Sequence, residues 1–328
     1  MTVPKKIIDQ LAGIPNVSVS EGVPLSKHTR FGIGGPATAF VQAASERAFA
    51  EALRVSQSSG AAYSVIGDGT NLIVSDQGFD GIVLRLTAQA IERDGVTVRA
   101  AAGAELQALV DYSIEQGLQG LETMTGIPGS VGAAVYGNAG AYGHSIDERV
   151  QRVRFLDGAA VRSFGPQECG FHYRESIFKE HKDWIVLSVD LAMTPAPAAE
   201  LRETAGKIFN IRLEKYPASM KCAGSIFKNL ILAQLPVEVR RQIPERVVRE
   251  GKAPSAYFLE QAGAKGMRNG GIQVAEYHAN LIYNSGDGTA RELCELIGDL
   301  KFRVRKQFGL ELEEEVQYVG FSPAPQPA

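Results

Sequence analysis

The segment GIPGSVGAAVYGNAGAYG, residues 126–143, limits the possible folds more than any other stretch of this chain. Glycines at 126, 129, 132, 137, 140 and 143 give a backbone that can take positive φ and let another group approach the main chain closely. The residues between them are mostly Ala, Val, Ile and Tyr, too apolar for a disordered linker. Backbone of this kind, ordered and nearly uncharged, forms a wall against a large, flat, phosphate-bearing ligand. A second glycine turn, Gly67-Asp68-Gly69-Thr70-Asn71-Leu72, follows the strand signal Ser64-Val65-Ile66. It has no third glycine, so it is not a Rossmann fingerprint, and no P-loop pattern occurs. Its amides, the Thr70 hydroxyl and the Asn71 amide could still cradle an anion. Alone, the hexamer reads equally as an ordinary strand-end turn. Two separated loops of this character suit a pyrophosphate.

The chain has 328 residues, enough for two or three domains, with 45% hydrophobic and 22% charged residues. A net charge of −3 offers no basic field, so no nucleic-acid partner is expected. Cys169, Cys222 and Cys294 have no CxxC spacing, which argues against a disulfide framework and for a reducing compartment. No apolar run is long enough to span a membrane, and no signal core follows Met1. The expectation is a cytoplasmic protein without a membrane partner. Five isolated histidines lack metal spacing, so no metal is expected.

Strand and helix signals alternate. Strands are predicted at 81–86, 96–100 and 184–193, with a hairpin of 150–156 and 160–164 about Asp157-Gly158. Helices are predicted near 104–117 and 199–214, the latter after a Pro/Ala seam at 195–197. Thr289 and Glu292 form a capping box, and Gly309 stops the helix they open. A closing strand is predicted over 310–319, with Leu310, Leu312, Val316 and Tyr318 on one face and Glu311, Glu313 and Glu315 on the other. The tail 322–328 is expected to be disordered.

With Thr29-Arg30-Phe31-Gly32-Ile33-Gly34-Gly35, VIGDGTNLIVSDQGFDGIVLRL from Val65, the 126–143 segment, YRESIFK from Tyr173, AGSIFKN from Ala223, HANLIYN from His278 and LEEEVQYVG from Leu312, the sequence resembles the UDP-N-acetylenolpyruvoylglucosamine reductase family. These seven motifs occur in family order over residues 28–320. The resemblance implies an α+β fold of the vanillyl-alcohol-oxidase (PCMH) type. Residues 1–87 and 88–197 would form two FAD-binding subdomains, and 198–321 a C-terminal α/β substrate-binding domain. It also implies the shorter family type, which lacks an insertion bearing a substrate-site Tyr, since only about 50 residues separate Arg174 from Ser225. Departures from the family pattern are Thr70 for Ser, Ala133 for Gly, Gly137 before Asn138, Leu230 for Pro, and about ten extra residues near 231–250.

The implied activity is reduction of the enolpyruvyl group of a UDP-sugar to UDP-N-acetylmuramate, a peptidoglycan precursor. FAD is bound noncovalently, NADPH is the co-substrate, the nucleotide sugar is the only partner, and a monomer is expected. By the same resemblance Ser225 donates the proton, Arg174 pairs with the substrate carboxylate, and Glu315 hydrogen-bonds the enolate. Cofactor residues would be Gly67, Asp68, Gly69, Thr70, Asn71, Leu72, Gly126, Ile127, Pro128, Gly129, Ser130, Gly132, Ala133, Asn138, Gly140 and Arg212. Substrate residues would be Tyr173, Lys215, Lys228, Asn229, His278 and Asn280. Lys228 or a water could polarise the Ser225 hydroxyl.

Each residue also has a plainer reading. Ser225 can be a turn serine, Arg174 a stacked structural arginine among Phe171, Tyr173 and Phe178, and Glu313–Glu315 a solvated charge run. Arg212, Lys215 and Lys228 leave flavin and substrate contact open. An oxidase or dehydrogenase of alcohols or sugars on the same fold is the alternative enzyme, and a nucleotide-binding module without turnover the non-enzyme one.

Overall fold

A computed structural model describes residues 3–158 and 160–321; the expected disordered tail, 322–328, lies outside the described residues. The chain forms two compact units. The first runs to Val23 and then takes Ala37–Asp68 and Asp80–Ala218; the second takes Pro24–Pro36, Gly69–Phe79 and the described residues from Ser219 onward.

The first unit holds, besides two two-stranded sheets, two larger ones. One has the strand order Val17–Pro24, Pro36–Ala43, Phe79–Leu86, Tyr63–Val65, and its last pair is parallel, with Tyr63 opposite Ile82. Helix Glu46–Ser58 belongs to this part of the chain; Ser45 caps it by accepting from the Ala48 amide at 3.2 Å. The other sheet has the order Val161–Phe164, Val150–Leu156, Ile185–Ala192, Thr97–Ala101, Ile91–Asp94, antiparallel throughout. The predicted hairpin about Asp157-Gly158 forms, with Leu156 opposite Val161. Helices Lys5–Ala12, Leu106–Glu115, Val131–Tyr136, Ile177–Glu180 and Ala198–Lys215 also belong to the unit. Its core joins Phe49, Leu53, Ile82 and Leu84 to Val98, Leu109, Val153, Phe155, Leu187 and Val189. Phe155 stacks on Trp184 at 5.1 Å and meets Phe178 edge-on at 5.2 Å.

The second unit is assembled from three separated stretches. Its longest helix, Ala290–Phe308, starts at the predicted capping box and ends at Gly309, whose φ of +65° is the left-handed stop that glycine permits. Asp76 adds a second cap from far away in sequence, accepting from the amides of Ala290 and Arg291 at 2.8 and 2.9 Å. Leu293, Leu296, Ile297, Leu300 and Val304 are the helix's buried stripe. The unit also contains helix Ser255–Gln261 and the sheet Arg268–Asn269, Ile272–Ala275, His278–Asn284. The additional residues near 231–250 form short turns: 3₁₀ at Leu232–Gln234 and Glu245–Val247, and one helical turn at Val237–Arg240.

The predicted closing strand is corrected. Only Gln317–Val319 is strand, and it pairs in parallel with Leu72–Val74. The alternation of the preceding residues nevertheless holds: Leu310, Leu312 and Val316 are buried and Glu311 and Glu313 exposed. Tyr318 is half-buried.

Candidate active site

In the first unit Gly67, which opens the first glycine turn, meets the 126–143 segment. A Cβ on Gly67 would lie 2.7 Å from Ser130 Oγ, so a larger residue there would force that hydroxyl to move. Ser130 is itself buried and caps Val131–Tyr136 by accepting from the Ala133 amide at 3.4 Å. Asp68 forms an ion pair with Arg85. Gly126 and Gly129 take φ of +76° and +121°, values that L side chains rarely adopt. The Gly126 amide donates to Gln107 Oε1 at 2.7 Å, and a Cβ on Gly126 would be 3.2 Å from Arg212 Nε. Arg212 therefore lies against the turn that sequence reading assigned to the cofactor. Ile127 packs on the core while Pro128 and Ala133 are exposed.

Gly132 needs to be small for another reason than cofactor space. Its Cβ would stand 2.8 Å from the Ala102 Cβ, and its amide donates to the Ala102 carbonyl at 2.8 Å. Among the described residues, the buried hydroxyls of Thr123 and Thr125 meet no hydrogen-bond partner, on the turn that leads into Gly126. Buried polar atoms of this kind are rarely left unmatched, so this wall fits a bound group that offers acceptors. That is the fit expected of a dinucleotide such as FAD.

Arg174, also in the first unit, has φ of +60°, a strained value for a residue with a side chain. Its guanidinium donates to the Gly140 carbonyl at 2.9 Å and reaches the Asn138 carbonyl at 3.5 Å. It also lies over the Tyr173 ring, 5.4 Å from its centre. Lys179, in the same motif but not singled out by sequence reading, holds the turn by donating to the Arg174 carbonyl at 2.7 Å and pairing with Glu175 at 2.9 Å. Asn138 is buried at φ of +42°, donates to the His172 carbonyl at 2.9 Å and accepts from the Asp147 amide at 3.4 Å. Its amide thus shapes the loop that carries Arg174. Gly140 starts a tight hairpin, where a Cβ would stand 2.5 Å from the His144 carbonyl. Lys215 lies 5.1 Å from the Tyr216 ring centre and Arg212 5.4 Å from it.

In the second unit the GSIFKN segment is laced between two others. The Ile226 amide donates to the Asn280 carbonyl at 3.1 Å on one side, and the Glu315 amide donates to the Ile226 carbonyl at 2.7 Å on the other. Ser225 bridges Leu281, and Phe227 bridges Glu314. Asn280 is buried, and its amide spans Phe227, accepting from its N–H at 2.9 Å and donating to its carbonyl at 2.8 Å. The structure therefore makes Asn280 a holder of the Ser225 segment. Asn229 accepts from the Ser255 amide at 3.3 Å. Gly69, at φ of +66°, passes the His28 carbonyl so closely that a Cβ would overlap it. Thr70 and Leu72 follow, and His278 opens the strand that carries Asn280.

The three consecutive glutamates are not a uniform charge run. Glu313 pairs with the buried Lys228, so the ammonium expected to polarise Ser225 is engaged by a carboxylate. Glu314 turns inward to the buried Lys301 at 3.0 Å, and Glu315 has its backbone tied to the Ser225 segment. Burial, followed by the charges of Glu314 and Cys294, pushes the Tyr318 phenol well above its usual range. Among the described residues no cluster of His, Cys, Asp or Glu could hold a metal, and no helix is long and apolar enough to cross a membrane.

Residues 37–160 match the family model "FAD binding domain". With the mixed α/β architecture and the glycine wall, this defines an FAD-dependent oxidoreductase of the vanillyl-alcohol-oxidase type. Residues 216–319 match "UDP-N-acetylenolpyruvoylglucosamine reductase, C-terminal domain". The chain is 60% identical to the UDP-N-acetylenolpyruvoylglucosamine reductase of Solibacter usitatus, over 95% of this chain and all of that one. It is 37% identical to that of Rubrobacter xylanophilus, over 90% and 94%. The crystal structure of the Thermus caldophilus enzyme superposes with a TM-score of 0.71 at 29% identity, covering 92% of this chain and 98% of that one. The chain belongs to the UDP-N-acetylenolpyruvoylglucosamine reductase family. Full-length identity at this level sets aside the alternative of an alcohol or sugar oxidase on the same fold.

Proposed function

We propose that this chain reduces the enolpyruvyl group of UDP-N-acetylglucosamine enolpyruvate to the lactyl ether of UDP-N-acetylmuramate, at the expense of NADPH. FAD, when bound, supplies the relay that carries a hydride from NADPH to the substrate. Hydride addition to the terminal alkene carbon moves an electron pair onto the carbon next to the carboxylate, giving an enolate. The Ser225 hydroxyl gives its proton to that carbon and is reprotonated from water, so one hydride and one proton are consumed per product. A serine hydroxyl is a weak acid, but the carbanionic carbon it faces is a strong base.

Arg174 supplies a planar, permanently charged fork for the substrate carboxylate, where the developing charge accumulates. Glu315 hydrogen-bonds the enolate. Lys215, Lys228, Asn229, Tyr173 and His278 are assigned to the nucleotide sugar. Gly67–Thr70, Leu72, the 126–140 segment and Arg212 are assigned to the cofactor. In this division, 1–87 and 88–197 serve FAD and 198–321 the substrate. A cytoplasmic monomer is the proposed working form; gel filtration at the mass of two chains would contradict it.

The observation that carries this reading is the lacing of Ser225 and Glu315 into one backbone network, through the Glu315 amide and the Ile226 carbonyl at 2.7 Å. The test is an anaerobic titration of the holoenzyme. NADPH should bleach the flavin bands and the enolpyruvyl nucleotide should restore them, while simple alcohols and sugars should not. Failure of the nucleotide to restore colour would refute the proposal.

A further inference from the structure

The loop that carries candidate cofactor residues also reaches the backbone of Glu315. Asn71 Nδ2 donates to the Glu315 carbonyl at 2.9 Å, joining residues 244 apart in sequence. The carbonyl of Asn71 accepts from the Gln317 amide at 2.9 Å. One residue thus grips the chain on both sides of Val316. On the opposite edge the Glu315 amide is bound to the Ile226 carbonyl at 2.7 Å, next to Ser225. The peptide groups flanking Glu315 are held from two directions, one by the serine segment and one by the side chain of Asn71.

The motif alone groups Asn71 with the candidate cofactor ligands. The amide nitrogen found here is spent on Glu315. A side-chain amide donating to a specific carbonyl fixes the orientation of that peptide plane, and with it the direction in which the Cα–Cβ bond of Glu315 leaves the backbone. Gly69 and Thr70 immediately precede Asn71, so any ordering of that loop is transmitted two residues along the chain to this contact.

We propose that Asn71 is a positioning residue for the reaction: it aims the Glu315 carboxyl, and it ties that aim to the conformation of the 69–72 loop. The inference rests on the role proposed above for Glu315. It assigns Asn71 to the second half-reaction, whereas a cofactor ligand would act on both.

The experiment is rapid mixing of Asn71→Ala holoenzyme. Flavin content should be retained and bleaching by NADPH should stay within about threefold of wild type, while recolouring by the enolpyruvyl nucleotide should slow by about tenfold or more at saturating substrate. On a Glu315→Gln background, adding Asn71→Ala should change the second rate by less than about twofold, because a residue that acts only through Glu315 has nothing further to lose. Asn71→Ser, with a hydroxyl too short for the carbonyl, should show the same selective loss. Equal slowing of both half-reactions, loss of flavin in both variants, or a full additional loss on the Glu315→Gln background would overturn the inference. A wild-type enzyme that is not recoloured by the nucleotide would instead refute the functional proposal.

Discussion

Lys301→Met should destabilise the second unit strongly, and a second substitution should undo most of the damage. The Lys301 side chain is 4% exposed and its Nζ lies 3.0 Å from the Glu314 carboxylate, which is 20% exposed. Methionine keeps the length and apolar stem of lysine but leaves Glu314 facing a space arranged for a cation. Removing one partner of a buried pair costs about 3–5 kcal/mol, and the residual hydration of Glu314 points to the lower end, about 3 kcal/mol. That is roughly a hundredfold in the folding equilibrium. Replacing both partners with apolar residues of similar volume removes the desolvated charge, so Lys301→Met/Glu314→Leu should return to within about 1 kcal/mol of wild type. Urea unfolding followed by circular dichroism would read this, with the slope monitored because two units can unfold separately. A single variant costing less than about 1 kcal/mol, or a double variant less stable than the single, would show that the pair is not the anchor its burial implies.

Ser225→Ala should leave flavin binding and NADPH oxidation nearly intact while slowing the substrate half-reaction by about 10²–10⁴-fold, the range for a lost general acid; equal loss in both halves by stopped flow would make Ser225 structural. Arg174→Lys keeps the charge but loses the fork, so the same half-reaction should fall by roughly 10²-fold, and near-wild-type recolouring would refute bidentate carboxylate binding. Gly132→Val should give little coloured protein because its Cβ meets Ala102 at 2.8 Å; adding Ala102→Gly should restore part of the flavin absorbance, and no recovery would mean that Ala102 is not the obstacle. The Cys294 thiol is pushed up to about 11 by burial, then by Asp76, Glu314 and Glu295. At pH 8 its thiolate should be about a hundredfold scarcer than that of an ordinary cysteine, and alkylation by iodoacetamide as fast as in a model peptide would contradict this.

The local grammar of the chain was legible. Helix Ala290–Phe308 begins and ends where Thr289, Glu292 and Gly309 place it, because capping is decided within four residues. The hairpin about Asp157-Gly158 formed for the same reason. What could not be read was which partner each polar side chain would choose. Asn71, Asn138 and Asn280 stand in motifs that look like ligand contacts, yet their amides bond the backbone of Glu315, His172 and Phe227. Those partners lie 244, 34 and 53 residues away, and no local rule selects them. The glutamates Glu313 to Glu315 resemble a solvated run for the same reason: Lys228 and Lys301, which divide them, come from elsewhere in the chain. The 310–319 segment kept the alternation of a strand but pairs as one only at Gln317–Val319, where Leu72–Val74 provides an edge.

That last pairing sets a clock on biosynthesis. A ribosome adding about 5–20 residues per second needs about 12–50 s to make the 244 residues that separate Asn71 from Glu315. Throughout that interval Leu72–Val74 waits as a nascent edge without its parallel neighbour. Drawing ends so far apart together also costs about 5 kcal/mol of chain entropy, which the contacts made on closure must outweigh. The register of Glu315 is therefore among the last things the polypeptide acquires as it leaves the translation machinery.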